Sequence, residues 1–252
     1  MKPLSKSSIV KRTDLFSPVP REREVPHVEF PYGIEEKSYL PEPDALPSVT
    51  FASVLASRES RRSFKPLSPD DLNSLLHYSA RALVVASPNQ SSRWQHRPTP
   101  SAGGRHPVDL LVIQPQDSSP TVRLYQPEPH ALAKLMVANT QSLEKLCKLV
   151  NEVVSQEEAT ILWFGAQFDR TLSKYENGES LVWRDVGALL GTISFVAECL
   201  GLNSCALGIT GEPFISELLA SNGKVIGVGG LLVGRRSVLN ITNLSSVRQN
   251  SS

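Results

Sequence analysis

Hydrophobic and polar positions follow clear periods between residues 49 and 237, and none in the first 48. From Ser48 to Ser57, Phe51, Val54 and Leu55 recur at helical spacing and predict a short helix. Ser68-Pro69-Asp70-Asp71 predicts a second helix start. Serine caps the first turn, proline fits inside it, and the acids face the positive end of the helix dipole. Leu72, Leu75 and Leu76 then point inward. Val108–Ile113 and Thr121–Tyr125 read as strands, and Ala159–Gly165 as a central strand. Pro127 to Val150 reads as one or two helices. Trp183 to Leu200 predicts a long apolar helix, with Gly201 placed to end it. Ser216–Ala220 predicts a short helix and Lys224–Val233 a glycine-rich strand. Residues 86–98 read as a loop and 238–252 as a polar tail. Helices and strands mix without strict β-α-β alternation, which predicts an α+β architecture.

Residues 1–48 form a separate segment. Pro18, Pro20, Pro26, Pro31, Pro41, Pro43 and Pro47 keep it extended. Two readings stay open: a disordered leader, or an ordered arm lying on the body or on a second subunit, anchored by Phe16, Phe30, Tyr32 and Tyr39. The body, residues 49–237, is long enough for a full core.

The net charge of +1 provides no basic field for nucleic acid. Cys147, Cys199 and Cys205 form no even framework and no C-x-x-C, so they read as reduced thiols in a cytoplasmic protein. The N-terminus lacks the apolar core of a signal peptide. The most apolar stretch, Val186 to Leu202, carries Glu198 and reads as a buried helix, with no membrane span expected.

Four segments carry candidate chemistry. In Arg61-Arg62-Ser63-Phe64-Lys65, alternate residues on an extended backbone place a guanidinium, a hydroxyl and an ammonium on one side. That suits a terminal phosphate, or is a solvated basic turn. Pro100-Ser101-Ala102-Gly103 has little side chain, so a flat ligand can approach its backbone; a plain loop-to-strand connection is the other reading. Lys174-Tyr175 is a commonplace neighbour pair that, once desolvated, can handle protons. Arg235-Arg236 ends the glycine-rich strand, either closing on a phosphate or capping the strand in water. Gly227-Val-Gly229-Gly230 is not a dinucleotide fingerprint: it lacks the third glycine and lies inside a strand. His77, His96, His106 and His130 are scattered without ligand spacing, so no metal site is expected.

Taken in order, these segments resemble the nitroreductase family of FMN enzymes, in particular its SagB-type azoline dehydrogenase branch. The matches are Arg61-Arg62-Ser63-Phe64-Lys65, Pro100-Ser101-Ala102-Gly103, Lys174-Tyr175, Ala197-Glu-Cys-Leu-Gly-Leu202 and Val233-Gly234. The resemblance implies an antiparallel-rich central sheet flanked by helices, with FMN at a homodimer interface. By the same likeness Arg61, Arg62, Ser63, Lys65, Arg235 and Arg236 hold the phosphate. Pro100, Ser101, Ala102 and Gly103 lie against the isoalloxazine, and the backbone at Leu207 and Gly208 faces its N5. Lys174 and Tyr175 would take a proton from a thiazoline or oxazoline, on a peptide or carrier, as it becomes an aromatic azole. Lys65 stands where the branch more often has arginine, and Arg105-His106 where it often has an apolar-aromatic pair. No cyclodehydratase-like segment is fused, so a cyclodehydratase or synthetase partner is expected on another chain. The alternatives are an NAD(P)H-dependent nitro or quinone reductase on the same fold, and a non-catalytic scaffold in a biosynthetic complex.

Overall fold

The computed structural model describes residues 16–85, 94–114, 120–155 and 158–236. The start of the arm, much of the predicted 86–98 loop and the polar tail lie outside the described residues. In chain order the strands are β1 (Val19–Pro20), β2 (Ile34–Tyr39), β3 (Val84–Val85), β4 (Gln95–His96), β5 (Val108–Gln114), β6 (Thr121–Gln126), β7 (Ala131–Leu135), β8 (Thr160–Ala166), β9 (Tyr175–Glu176), β10 (Leu202–Leu207) and β11 (Ile226–Arg235). The α-helices are α1 (Phe51–Ser57), α2 (Pro69–Ala80), α3 (Thr140–Val153), α4 (Phe168–Leu172), α5 (Glu179–Cys199) and α6 (Phe214–Leu219).

Seven strands form one sheet in the order β10-β11-β8-β5-β6-β7-β2, with every neighbouring pair antiparallel. Helices cover both faces, as the α+β expectation requires. Alternation along β5 divides the core. Val108, Leu110 and Val112 join the cluster built with α2 and α5, whereas Leu111 and Ile113 face α3 and α6. Strand β8 is buried along its whole length, as its unbroken apolar run predicted.

Local signals set several boundaries. Ser68 and Asp71 form a reciprocal capping box at the start of α2, with Pro69 in the first turn. Helix α5 begins at Glu179, four residues before the expected Trp183, and ends where Gly201 adopts φ +70°. By length and composition α5 could cross a membrane, but here Val182, Val186, Leu189, Ile193, Val196 and Ala197 lie in the core.

The expected helices between Pro127 and Val150 need correction. Residues 127–130 turn, β7 follows, and only α3 is helical. Ala131-Leu-Ala-Lys-Leu135 is rich in helix formers, yet pairing with β6 and β2 overrides that weak preference. Strand β10, with Asn203, Ser204 and Ala206, also lacks a strong strand signal and is made by its ladder to β11.

One buried network ties the arm to the body. Asp109 on β5 accepts hydrogen bonds from Tyr32 Oη (2.8 Å), Gln167 Nε2 (2.7 Å) and Arg170 Nη1 (2.7 Å). Gln167 Oε1 accepts from the Phe30 backbone N–H at 2.7 Å, and Glu29 pairs with Arg170 at 3.1 Å. Burial opposes the Arg170 charge, but Asp109 and Glu29 outweigh it and raise the guanidinium pKa. Removing one partner strands the other in a poorly hydrated site. Asp109→Ala is therefore expected to cost about 3 kcal/mol or more in urea unfolding; a loss below about 1 kcal/mol would show the network to be weakly coupled to the fold.

Candidate functional site

Pro100 and Ser101 lead into a 3₁₀ turn at Ala102–Gly104, which delivers the chain to β5. Gly103 adopts φ +62°, in the left-handed region that glycine enters without cost. A Cβ placed there would stand 2.9 Å from both Lys174 Nζ and Tyr175 Oη. The bare turn and the Lys-Tyr pair thus converge, although 70 residues separate them in sequence. The Lys174 ammonium lies 5.8 Å from the centroid of the Tyr175 ring.

Asp185 on α5 holds the opposite side of the turn. Its carboxylate accepts from Ser101 Oγ at 2.6 Å and from the Ala102 N–H at 3.1 Å. Ser101 Oγ in turn accepts from the His106 N–H at 2.8 Å. Burial raises the Asp185 carboxyl pKa against the pull of these donors. The sequence reading did not single out Asp185. Its signal was a lone acid within an apolar helix, a position that demands donors.

His106, also buried, has its Nε2 3.0 Å from the Gln95 carbonyl oxygen. Burial pushes the imidazole down to about 4; Arg97 adds to the shift and the Gln95 carbonyl resists it. The ring is therefore neutral near pH 7 and donates from Nε2.

The cationic residues gather elsewhere. Arg61 Nη1 lies 2.6 Å from Glu198 Oε2, and Arg236 Nη2 lies 2.9 Å from Oε1 of the same carboxylate. Burial would raise Glu198, but hydrogen bonds from Ser57, Arg61 and Arg236 hold it below its usual range. Arg61 and Arg236 are thus brought together at the C-terminal end of α5. Arg235 points instead to Asp71 at 3.2 Å, and Lys65 to Glu158 at 3.1 Å. Arg62 and Ser63 are exposed, with the Ser63 carbonyl accepting from Asn203 Nδ2 at 2.7 Å. The Arg61 backbone N–H bonds Ser204 O at 3.0 Å, laying this segment on the free edge of β10. Leu207 is buried opposite Gly230, and Gly208 follows with open space where a Cβ would stand.

Asp185 and Glu198 are thirteen residues apart on one straight element. At 1.5 Å per residue the bare turn and the Arg61–Arg236 pair lie about 20 Å apart within the chain. The outward face of α5 carries Trp183 just before Asp185, and then Gly187 and Gly191, with nothing within 4 Å of a Cβ built on either glycine.

A separate cavity of about 370 Å³ lies beneath the arm. Phe30 and Tyr32 wall it from the arm, Asp109 and Leu124 from the sheet, and Arg170 from α4. His106, at the exit of the bare turn, also lines this cavity.

The nitroreductase family model matches residues 55–235. The chain belongs to the nitroreductase family. Several solved structures share the fold. A putative nitroreductase from Ralstonia eutropha is 21% identical with a TM-score of 0.59, covering 85% of this chain and 98% of its own. A structure of the E. coli microcin synthetase McbBCD complex with truncated pro-MccB17 bound matches at 16% identity and a TM-score of 0.53, covering 94% and 84%. A putative nitroreductase from Anabaena variabilis is 20% identical with a TM-score of 0.52, covering 83% and 44%. At these identities the likeness establishes the fold. No curated protein matched the chain in sequence. Nitroreductase-family proteins are typically FMN-dependent oxidoreductases, and this chain is an oxidoreductase of that family.

The depressed His106 pKa carries a stability consequence. Below pH 6.5 the unfolded chain binds a proton that the folded site refuses until about pH 4. Stability is full above the unfolded pKa and falls as pH drops through this window, by up to about 3 kcal/mol. His130 is likewise pushed down to about 4 by burial, so His106→Asn, which tolerates the observed φ of +47°, is expected to reduce the fall in urea-unfolding stability between pH 7 and 4.5 without abolishing it. An unchanged slope would assign that pH dependence to other groups.

Proposed function

We propose that this chain is an FMN-dependent oxidoreductase of the SagB-type branch. Its substrate is a thiazoline or oxazoline, held in a peptide or on a carrier, which becomes the aromatic azole. The observation that carries this reading is the convergence of Lys174 Nζ and Tyr175 Oη on the bare backbone at Gly103. A lysine, once deprotonated, and a phenol beside backbone almost free of side chains suit removal of a ring proton. FMN, when bound, supplies the acceptor for the two electrons that aromatisation releases. Ser101 and Ala102, fixed by Asp185, keep the turn rigid against the ring. The likeness to a synthetase complex solved with a peptide precursor supports a peptide substrate and a separate cyclodehydratase or synthetase partner.

The residues suit FMN as a site shared by two copies. A single ribityl phosphate is too short to span about 20 Å from the turn to Arg61 and Arg236. Two α5 helices packed antiparallel about a twofold axis would bring the turn of one copy to the arginines of the other. The open space at Gly187 and Gly191 and the exposed Phe51, Leu55 and Trp183 support such a homodimer. Arg61 and Arg236 would hold the phosphate, with the Ser63 hydroxyl and Arg62 close in sequence, and Lys65 and Arg235 would join them on releasing Glu158 and Asp71. Pro100–Gly103 and the backbone at Leu207-Gly208 would flank the ring.

The purified protein is expected to show the absorption bands of oxidised flavin, and a synthetic thiazoline peptide should bleach them in the absence of oxygen. Rapid bleaching by NADPH but not by the peptide would favour a nitro or quinone reductase. A colourless protein that FMN cannot reconstitute would favour a scaffold. Lys174→Ala is expected to retain flavin and lose about 100-fold or more in kcat; full turnover would remove the assigned role. Gly191→Leu should yield a monomer that loses flavin on gel filtration, whereas a flavin-loaded dimer would refute the shared site.

A further inference from the structure

The arm residues Arg21 to Val25 touch both halves of the proposed catalytic centre. Arg21 donates its backbone N–H to the Lys174 carbonyl at 2.8 Å and its Nε to the Leu172 carbonyl at 3.0 Å. Its Nη1 lies 3.0 Å from Glu176 Oε1. The Val25 N–H bonds the Ser173 carbonyl at 2.8 Å. Just upstream, β1 pairs with β9, setting Pro20 opposite Tyr175 and Val19 opposite Glu176. Each residue from 172 to 176 is therefore held by the arm. Three positions after Arg21, Glu24 pairs with Arg105, directly beyond the Ala102–Gly104 turn.

Local bonds hold only the start of segment 172–176: the Ser173 N–H bonds the Asp169 carbonyl at 2.9 Å and the Lys174 N–H the Thr171 carbonyl at 3.1 Å. Beyond them β9 has two residues, and its ladder partner is β1 of the arm. An arginine serves here because its planar fork reaches a carbonyl and a carboxylate together. The neighbouring Pro18, Pro20 and Pro26 keep the strap extended and limit the entropy lost on docking.

We propose that Arg21 is a positioning residue for the Lys174–Tyr175 pair, and that the arm sets the distance between that pair and the Gly103 turn. This rests on the reading of Lys174 and Tyr175 as the proton-handling groups. Arg21 itself touches no reacting atom. Its side chain acts through the Leu172 carbonyl and the Glu176 carboxylate, while its backbone N–H holds the Lys174 carbonyl, and small misplacements of an acid or base are costly.

The test compares full-length Arg21→Ala, Arg21→Lys and Lys174→Ala proteins. Turnover of the thiazoline peptide, flavin affinity and amide hydrogen exchange over residues 172–178 are measured for each. Arg21→Ala is expected to lower kcat by about 10- to 100-fold, leaving KM and flavin affinity within about twofold. Arg21→Lys, which keeps one of the two side-chain contacts, should recover part of the rate. Exchange over 172–178 should accelerate in Arg21→Ala. A wild-type kcat for Arg21→Ala beside an inactive Lys174→Ala overturns the proposal and leaves the azoline reading intact. Full turnover by Lys174→Ala removes the pair's proton-handling role, and with it this proposal, while the azoline reading stands. A flavin-loaded wild type that does not turn over the thiazoline peptide overturns the azoline reading, and unchanged exchange over 172–178 in Arg21→Ala then overturns the positioning role as well.

Discussion

The ion pair between Asp109 and Arg170 is the point at which the sheet, a short helix and the arm meet. Asp109 belongs to the central strand β5, and Arg170 to α4, which follows β8 directly and so starts beside β5. Arg170 also donates to the His106 carbonyl at 3.1 Å, at the exit of the bare turn, and reaches Glu29 on the arm. Four further donor or acceptor groups complete the pair, which makes so buried a charge tolerable. The sheet, the arm, the turn and the Lys174 segment therefore share one electrostatic anchor.

Helix α5 gives this arrangement its scale. Its inner stripe is core, so its axis is fixed relative to the sheet. Near one end Asp185 fastens a turn almost free of side chains; at the other Glu198 gathers Arg61 and Arg236. The helix works as a rigid spacer whose length forbids one chain from using both ends on one small ligand. Its outward face, with two glycines and a tryptophan, is where the proposed second copy would reconcile that spacing.

The elements that could be read from sequence were those whose signals are local. The Ser68–Asp71 cap, the apolar runs of β5 and β8, and Gly201 as a helix stop need only neighbouring residues to act. Strands β7 and β10 were hidden because pairing makes them: β7 lies between its hairpin neighbour β6 and the distant β2, and β10 runs along β11. The same division holds in the site. The small turn, the Lys-Tyr pair and the arginine clusters are visible as composition. Asp185, Asp109 and Arg21 are ordinary residues until the fold supplies their partners. The alternation of Arg61, Ser63 and Lys65 suggested one shared face, but the segment wraps the end of β10 and β11, sending Arg61 to Glu198 and Lys65 to Glu158.

The outer strands of the sheet meet the same hazard in different ways. Strand β2 presents Glu35, Glu36 and Lys37 to solvent, and such charge discourages edge-to-edge association. Strand β10 is nearly uncharged, and its guard is the Arg61–Ser63 segment lying along it. The stretch proposed to grip phosphate thereby also shields an aggregation template. Selection for solubility would preserve that backbone even in a descendant that bound no cofactor.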